Sequence, residues 1–176
     1  MPSRPIICRL SIARPWRFAV FRYPRLLTLS CCVAVAAACL LPVSQAHAMN
    51  AQEQAAYRPL QLLLDGLAKR DQQMMRDQAL PSFHATLMRE GKPLELDLDA
   101  FLARLPKTGT EKLLEQIHNP EIRIDDNVAV IWAPYTFFID DKVHHCGSNV
   151  VTLVRIDGNW RISSVADTAR TSCPKG

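Results

Sequence analysis

The first 48 residues contain no acidic residue; Arg4, Arg9, Arg14, Arg17, Arg22 and Arg25 are their only charged side chains. This one-sided stretch has the order of a bacterial secretory signal peptide. A basic leader is followed by a small, apolar run over residues 26–41, then Pro42, then the A-x-A site Ala46-His47-Ala48. The apolar run is short for a spanning helix, which needs about 20 residues, so no stable membrane anchor is expected after cleavage. Lipid attachment at Cys39 is the other route considered, but Ala36-Ala37-Ala38 lacks the large aliphatic residue that usually opens such a site. Residues 1–48 are therefore read as a signal peptide and 49–176 as one mature domain, periplasmic or secreted.

Other absences narrow the function. With the leader removed, 15 Lys and Arg face 17 Asp and Glu, so there is no clustered basic surface to hold nucleic acid. No G-x-S-x-G elbow, G-x-x-x-x-G-K loop or H-E-x-x-H helix is present, and no cofactor is implied. Of six cysteines only Cys146 and Cys173 lie beyond the leader. In an exported domain they read as one disulfide. His144-His145-Cys146 invites a metal or a cysteine nucleophile. Neighbouring strand residues point to opposite faces, and a disulfide removes the thiolate, so no metal site is assigned.

What remains has two halves. Leu60, Leu63, Leu64, Leu67 and Ala68 follow the spacing of an amphipathic helix. Pro59 is placed in its first turn, with residues 52–57 as a separate turn or kinked extension. Asp71 caps a second short helix carrying Met74 and Met75. Residues 83–89 and 94–98 are short strands around Gly91, and residues 97–105 a short helix stopped by Pro106. From Glu111 the chain turns strand-rich. Segments 111–124, 128–139, 143–156 and 160–169 are divided by Asp125-Asp126-Asn127, Asp140-Asp141-Lys142 and Asp157-Gly158-Asn159. This is a four-strand antiparallel meander and an α+β domain.

Two-residue turns allow faces to be assigned by alternation. One face then carries Trp132, Phe138, His145, Asn149, Val151, Trp160 and Arg170. The other carries Ile131, Tyr135, Phe137, Cys146, Val165 and Asp167. Both are largely apolar, unlike a sheet with one wet side, so either helices cover one face and a partner chain the other, or both border an internal cavity; a homodimer is expected.

The quoted helices, Val130-Ile131-Trp132-Ala133-Pro134-Tyr135, His145-Cys146-Gly147, Asp157-Gly158-Asn159-Trp160-Arg161-Ile162 and Ala166-Asp167-Thr168-Ala169-Arg170 together resemble the nuclear transport factor 2-like superfamily. The resemblance is to its exported bacterial members, related to the polyketide-cyclase-like and lumazine-binding groups. It implies a cystatin-like cone: a curved antiparallel sheet packed on N-terminal helices, with a pocket between them. It does not imply one chemistry, because the superfamily holds isomerases, dehydratases, hydrolases, cyclases and non-catalytic modules. The Tyr/Asp/Asp set of the isomerases has no match here.

The candidate site is a polar cluster in an apolar pocket. His145 and Asp167 are the catalytic candidates; Trp132, Tyr135, Asn149 and Arg170 are the ligand-binding ones. His145 suits acid–base work near neutrality, Asn149 a carbonyl and Arg170 an anion. Asp167 needs a bulge to swing it in. The alternative is that these residues satisfy one another at strand ends. Three functions follow: binding of a small apolar ligand, acid–base chemistry on a small hydrophobic carbonyl compound, or docking of another exported protein on the open sheet face.

Overall fold

The computed structural model describes residues 48–105 and 108–173. The expected leader, apart from Ala48, and the expected helix stop at Pro106 lie outside the described residues. Among the described residues, no helix is long and apolar enough to cross a membrane.

Helix α1 (Ala51–Lys69) starts in a capping box. The Asn50 side chain accepts from the Gln52 and Glu53 amides, and the Glu53 carboxylate accepts from the Asn50 amide. It runs unbroken through Pro59, so the separate turn expected over residues 52–57 is its first two turns instead. Pro59 lies on the buried face with Leu60, Leu63 and Leu67. Arg70 ends the helix in a left-handed conformation, its amide donating to the Gly66 and Leu67 carbonyls. Asp71 then caps α2 (Gln72–Arg76), accepting from the Met74 amide.

A hairpin follows, β1 (Ala79–Arg89) and β2 (Lys92–Asp97), turning at Glu90-Gly91. Asp97 caps α3 (Leu98–Ala103). The expected strand over residues 111–124 is two strands, β3 (Leu113–Ile117) and β4 (Glu121–Asp125). Asn119 breaks it with a positive φ of 43°. Both pieces pair end to end with the long β5 (Val128–Ile139), β3 with its second half and β4 with its first. The chain continues through β6 (Lys142–Ile156) and β7 (Asn159–Thr168), antiparallel throughout. The sheet order is β2-β1-β7-β6-β5-β3, and β1 runs parallel to β7. The result is a curved, unclosed seven-strand sheet with helices packed against one face. Leu60, Phe83, Ile131, Val151, Leu153 and Ile162 form the fully buried centre of the core.

Both later turns have two residues, Asp140-Asp141 and Asp157-Gly158, as expected. The face assignment nevertheless fails, because each hairpin contains a bulge. Phe138 pairs with Val143 but Phe137 with His145, leaving His144 as an extra residue in β6. Leu153 pairs with Ile162 but Thr152 with Ser164, leaving Ser163 as an extra residue in β7. Each extra residue reverses the alternation beyond it. Tyr135, Phe137, Val165 and Asp167 therefore join His145, Asn149 and Val151 on the helix-covered face. Trp132 and Arg170 do not share it, which corrects their assignment beside His145.

Cys146 and Cys173 form a disulfide with their Cα atoms 5.8 Å apart. Past the end of β7, Arg170 and Cys146 exchange backbone hydrogen bonds, and a bend at Thr171-Ser172 brings Cys173 round. Such a bond belongs to an oxidising environment. The closed loop spans 27 residues of sequence separation. Because Cys173 sits on an exposed tail, reduction is expected to remove about 2 kcal/mol, the low end of the usual range. Thermal unfolding with and without reductant measures it; an unchanged midpoint would show that the tail contributes no restraint.

Candidate functional site

The inner face of the sheet is apolar toward α1 except at one end. There the cross-strand row Leu87, Asp167, Asn149, Ala133 runs over β1, β7, β6 and β5. Asn149 and Asp167 are the buried polar residues among the described ones, and they stand directly opposite each other. In the next rows, Tyr135 lies opposite Gly147 and Phe137 opposite His145. Glu115 of β3 stands beside Phe137. A cavity of about 330 Å³ lies between these rows and the helices. Its walls are Leu60, Leu63, Leu64 and Leu67 of α1, Met75 of α2, Phe101 of α3 and Leu105 just beyond it, with Arg104 exposed at the rim.

The polar groups form a connected set. Arg89 grips Asp167 with two parallel bonds, Nη1 to Oδ1 at 2.6 Å and Nη2 to Oδ2 at 2.8 Å, the bidentate geometry that suits a carboxylate. Asn149 Nδ2 donates to Glu115 Oε1 at 2.8 Å. Tyr135 Oη donates to the Thr168 carbonyl at 2.9 Å. His145 touches His144 through their Nδ1 atoms at 2.8 Å, and its ring lies against Phe137 and Tyr135, with centroids 5.0 and 5.6 Å apart.

Burial governs the electrostatics. Glu115 is partly buried and lines the cavity. Loss of solvation pushes its carboxyl up to about 7; the charge of Asp167 adds to this, while the Asn149 bond and Arg89 oppose it. Burial likewise raises the Tyr135 phenol, with Asp167 and Glu115 assisting, so it stays neutral and donating. His145 is lowered, first by burial and then by His144 and Arg89, against the pull of Asp167. Burial and the neighbouring cations thus favour its neutral form. At pH 7 Glu115 is divided between its two protonation states, the condition for exchanging a proton at little cost.

Of the residues expected from sequence, His145, Asp167, Tyr135 and Asn149 line the cavity. Trp132 does not: it pairs with Glu121 and Val150, and 47% of its surface is exposed on the outer face. The Arg170 side chain is exposed beside the disulfide and holds nothing in the cavity. Cys146, with its sulfur in the disulfide, has no thiolate to offer a metal or a substrate. Among the described residues, no group of three or more His, Cys, Asp or Glu is placed to hold a metal ion.

Two cavity residues, Glu115 and Arg89, were not singled out from sequence. Each carries a readable signal. Glu115 shares a strand face with Leu113 and Ile117, and Arg89 shares one with Phe83, Ala85 and Leu87. A charge in phase with buried residues is the mark of a charge turned inward.

No family model matches the chain, and no curated protein matches it by sequence. Solved structures do match its fold. A nuclear transport factor 2-like protein from Silicibacter pomeroyi aligns with a TM-score of 0.56 and 17% identity, over 69% of this chain and 100% of that one. A Nostoc punctiforme protein described as having a cystatin-like fold aligns with a TM-score of 0.59 and 10% identity, over 73% and 98%. A Novosphingobium aromaticivorans protein described as a candidate scytalone dehydratase aligns with a TM-score of 0.57 and 13% identity, over 68% and 85%. The described domain has the nuclear transport factor 2-like, cystatin-like cone fold. That fold carries both ligand-binding and enzymatic sites.

Proposed function

We propose that this protein binds a small, largely apolar molecule in the chamber between α1 and the sheet. The observation that carries the reading is the chamber itself: about 330 Å³ walled by leucines and phenylalanines, with its polar groups gathered at one end. Small-molecule sites are commonly built this way, with an apolar wall for affinity and a few polar groups for orientation. Tyr135, Asn149, His145, Asp167, Glu115 and Arg89 are the orienting groups. A panel of small apolar compounds tests it by thermal shift. Stabilisation that disappears in Leu64→Trp, which fills the space from the wall, supports the reading. No shift with any neutral, anionic or cationic compound removes it.

Acid–base catalysis is the second reading, favoured by the Glu115 carboxyl titrating near neutrality beside a water-poor chamber. In that reading Glu115 moves the proton, rather than His145 or Asp167. Both Asp167 oxygens are held by Arg89. His145 then orients the substrate from the neighbouring row.

The setting proposed for this activity is the periplasm or the medium, after removal of residues 1–48; the disulfide supports an oxidising compartment. The working unit proposed is a homodimer. Val128, Val130 and Trp132 alternate along the outer face of β5 and all are exposed, an apolar stripe of the kind that a second copy covers. Trp132→Asp is expected to shift the protein to monomer in sedimentation velocity without altering ligand binding. An unchanged sedimentation coefficient would show that this face is not the contact. A distinct exported protein recovered in fixed stoichiometry on the same stripe would instead make the domain an interaction module.

A further inference from the structure

We propose that the ligand is a hydrophobic amine, its ammonium group seated between Glu115 and Asn149 and its apolar body lying along Leu64, Phe101 and Phe137. This rests on the ligand-binding reading above and adds the chemical class. Several donors at the polar end already face protein acceptors. Arg89 Nη1 and Nη2 serve Asp167, and Nη1 also serves the Met88 carbonyl at 2.9 Å. Asn149 Nδ2 serves Glu115, and Tyr135 Oη serves Thr168. The acceptors are left over. Glu115 Oε2 and Asn149 Oδ1 have no hydrogen-bond partner among the described residues. A headgroup that engages both acceptors must bring donors, and an ammonium brings three.

Charge points the same way. Arg89 is neutralised by Asp167 at 2.6 Å, so an ionised Glu115 leaves the inner end with one uncompensated negative charge. A carboxylate ligand entering there meets two carboxyl groups in a poorly solvated site; an ammonium is drawn in. The ionisable or charged groups facing Glu115 are Arg89 from β1, Asp167 from β7, Tyr135 from β5, His145 from β6 and Tyr57 from α1, with Arg104 at the rim.

Four ligands of near-equal size separate the possibilities: phenethylamine, phenethyl alcohol, phenylacetate and phenylacetone. Each is titrated calorimetrically into the native protein and Glu115→Gln at pH 5.5 and 8.5. The amine is expected to bind tightest. Its affinity should rise with pH, by up to about thirtyfold, as the ionised fraction of Glu115 grows. A pH dependence that survives in Glu115→Gln belongs to another group facing the site, and only the part lost in that variant is assigned to Glu115. In that variant the amine should lose at least tenfold at pH 8.5, and the alcohol far less. If the alcohol or ketone binds the native protein as tightly as the amine, or tightens as pH falls, the amine class is overturned and the chamber reading stands. If none of the four saturates, both fall. The pH series on the native protein is independent of how well the variant folds.

Discussion

Glu115→Gln is expected to be more stable than the native protein at pH 8, by about 3 kcal/mol, and nearly equal to it at pH 4. The native carboxyl titrates near 4.5 in the unfolded chain and at about 7 in the fold. Between these values the folded state holds the proton more tightly than the unfolded state. Stability therefore falls as pH rises through this window, and the full penalty is present above the folded value; a gap of about 2.5 pH units corresponds to roughly 3 kcal/mol. Glutamine is isosteric and never ionises, and its amide oxygen can keep the bond from Asn149. Urea unfolding of both proteins at pH 4, 6 and 8 measures the difference. A variant less stable than the native protein at pH 8 would mean that Glu115 is well solvated or well paired when ionised, and would withdraw its place in the site. A poorly solvated carboxyl that weakens the fold at neutral pH is what a functional site tolerates and a structural position does not.

Gly147→Ala should lose about 3 to 4 kcal/mol and fail to accumulate as soluble protein at growth temperature. Gly147 is buried opposite Tyr135, and a Cβ placed there collides with the Thr168 carbonyl oxygen, with the Tyr135 ring 2.9 Å away. The obstacle is backbone, so no rotamer change relieves it. The strands must part, which breaks the Tyr135 to Thr168 hydrogen bond and opens the chamber floor next to the Cys146 disulfide. Overpacking against yielding side chains costs less than this. Thermal unfolding of whatever folds decides it; a loss under about 1 kcal/mol would show that the β6–β7 end yields easily.

Much of the fold was legible locally, and the reason is visible in particular residues. Asp71 and Asp97 cap helices with side chains that compete for backbone amides. Asp140-Asp141 and Asp157-Gly158 make their turns with positive φ values that these residue types tolerate. The site was only half legible. His145, Asn149, Tyr135 and Asp167 lie on strands whose existence was clear, but their common face depended on bulges at His144 and Ser163. Nothing local marks either residue, since the bulges answer to the curvature of the whole sheet. Arg89 reaches Asp167 across 78 residues of sequence, through a parallel pairing of β1 and β7 that no hairpin rule supplies. Trp132 was misplaced for the same reason as Asp167: with the alternation reversed, one moved out and the other in.

The two bulges also say what kind of change remodels this chamber most. A point substitution alters one group on the wall. Loss of a single codon at Ser163 would leave the Asp157-Gly158 turn intact and straighten β7, with Val165 and Asp167 still opposite Val151 and Asn149. Closing the bulge with Ser163 retained would instead turn Val165 and Asp167 outward together and put Ser164 and Ala166 in their place. Gain or loss of a bulge is thus a switch for whole faces of the cone. Proteins of this architecture can exchange the contents of their cavities between generations while their strands, turns and outline stay the same.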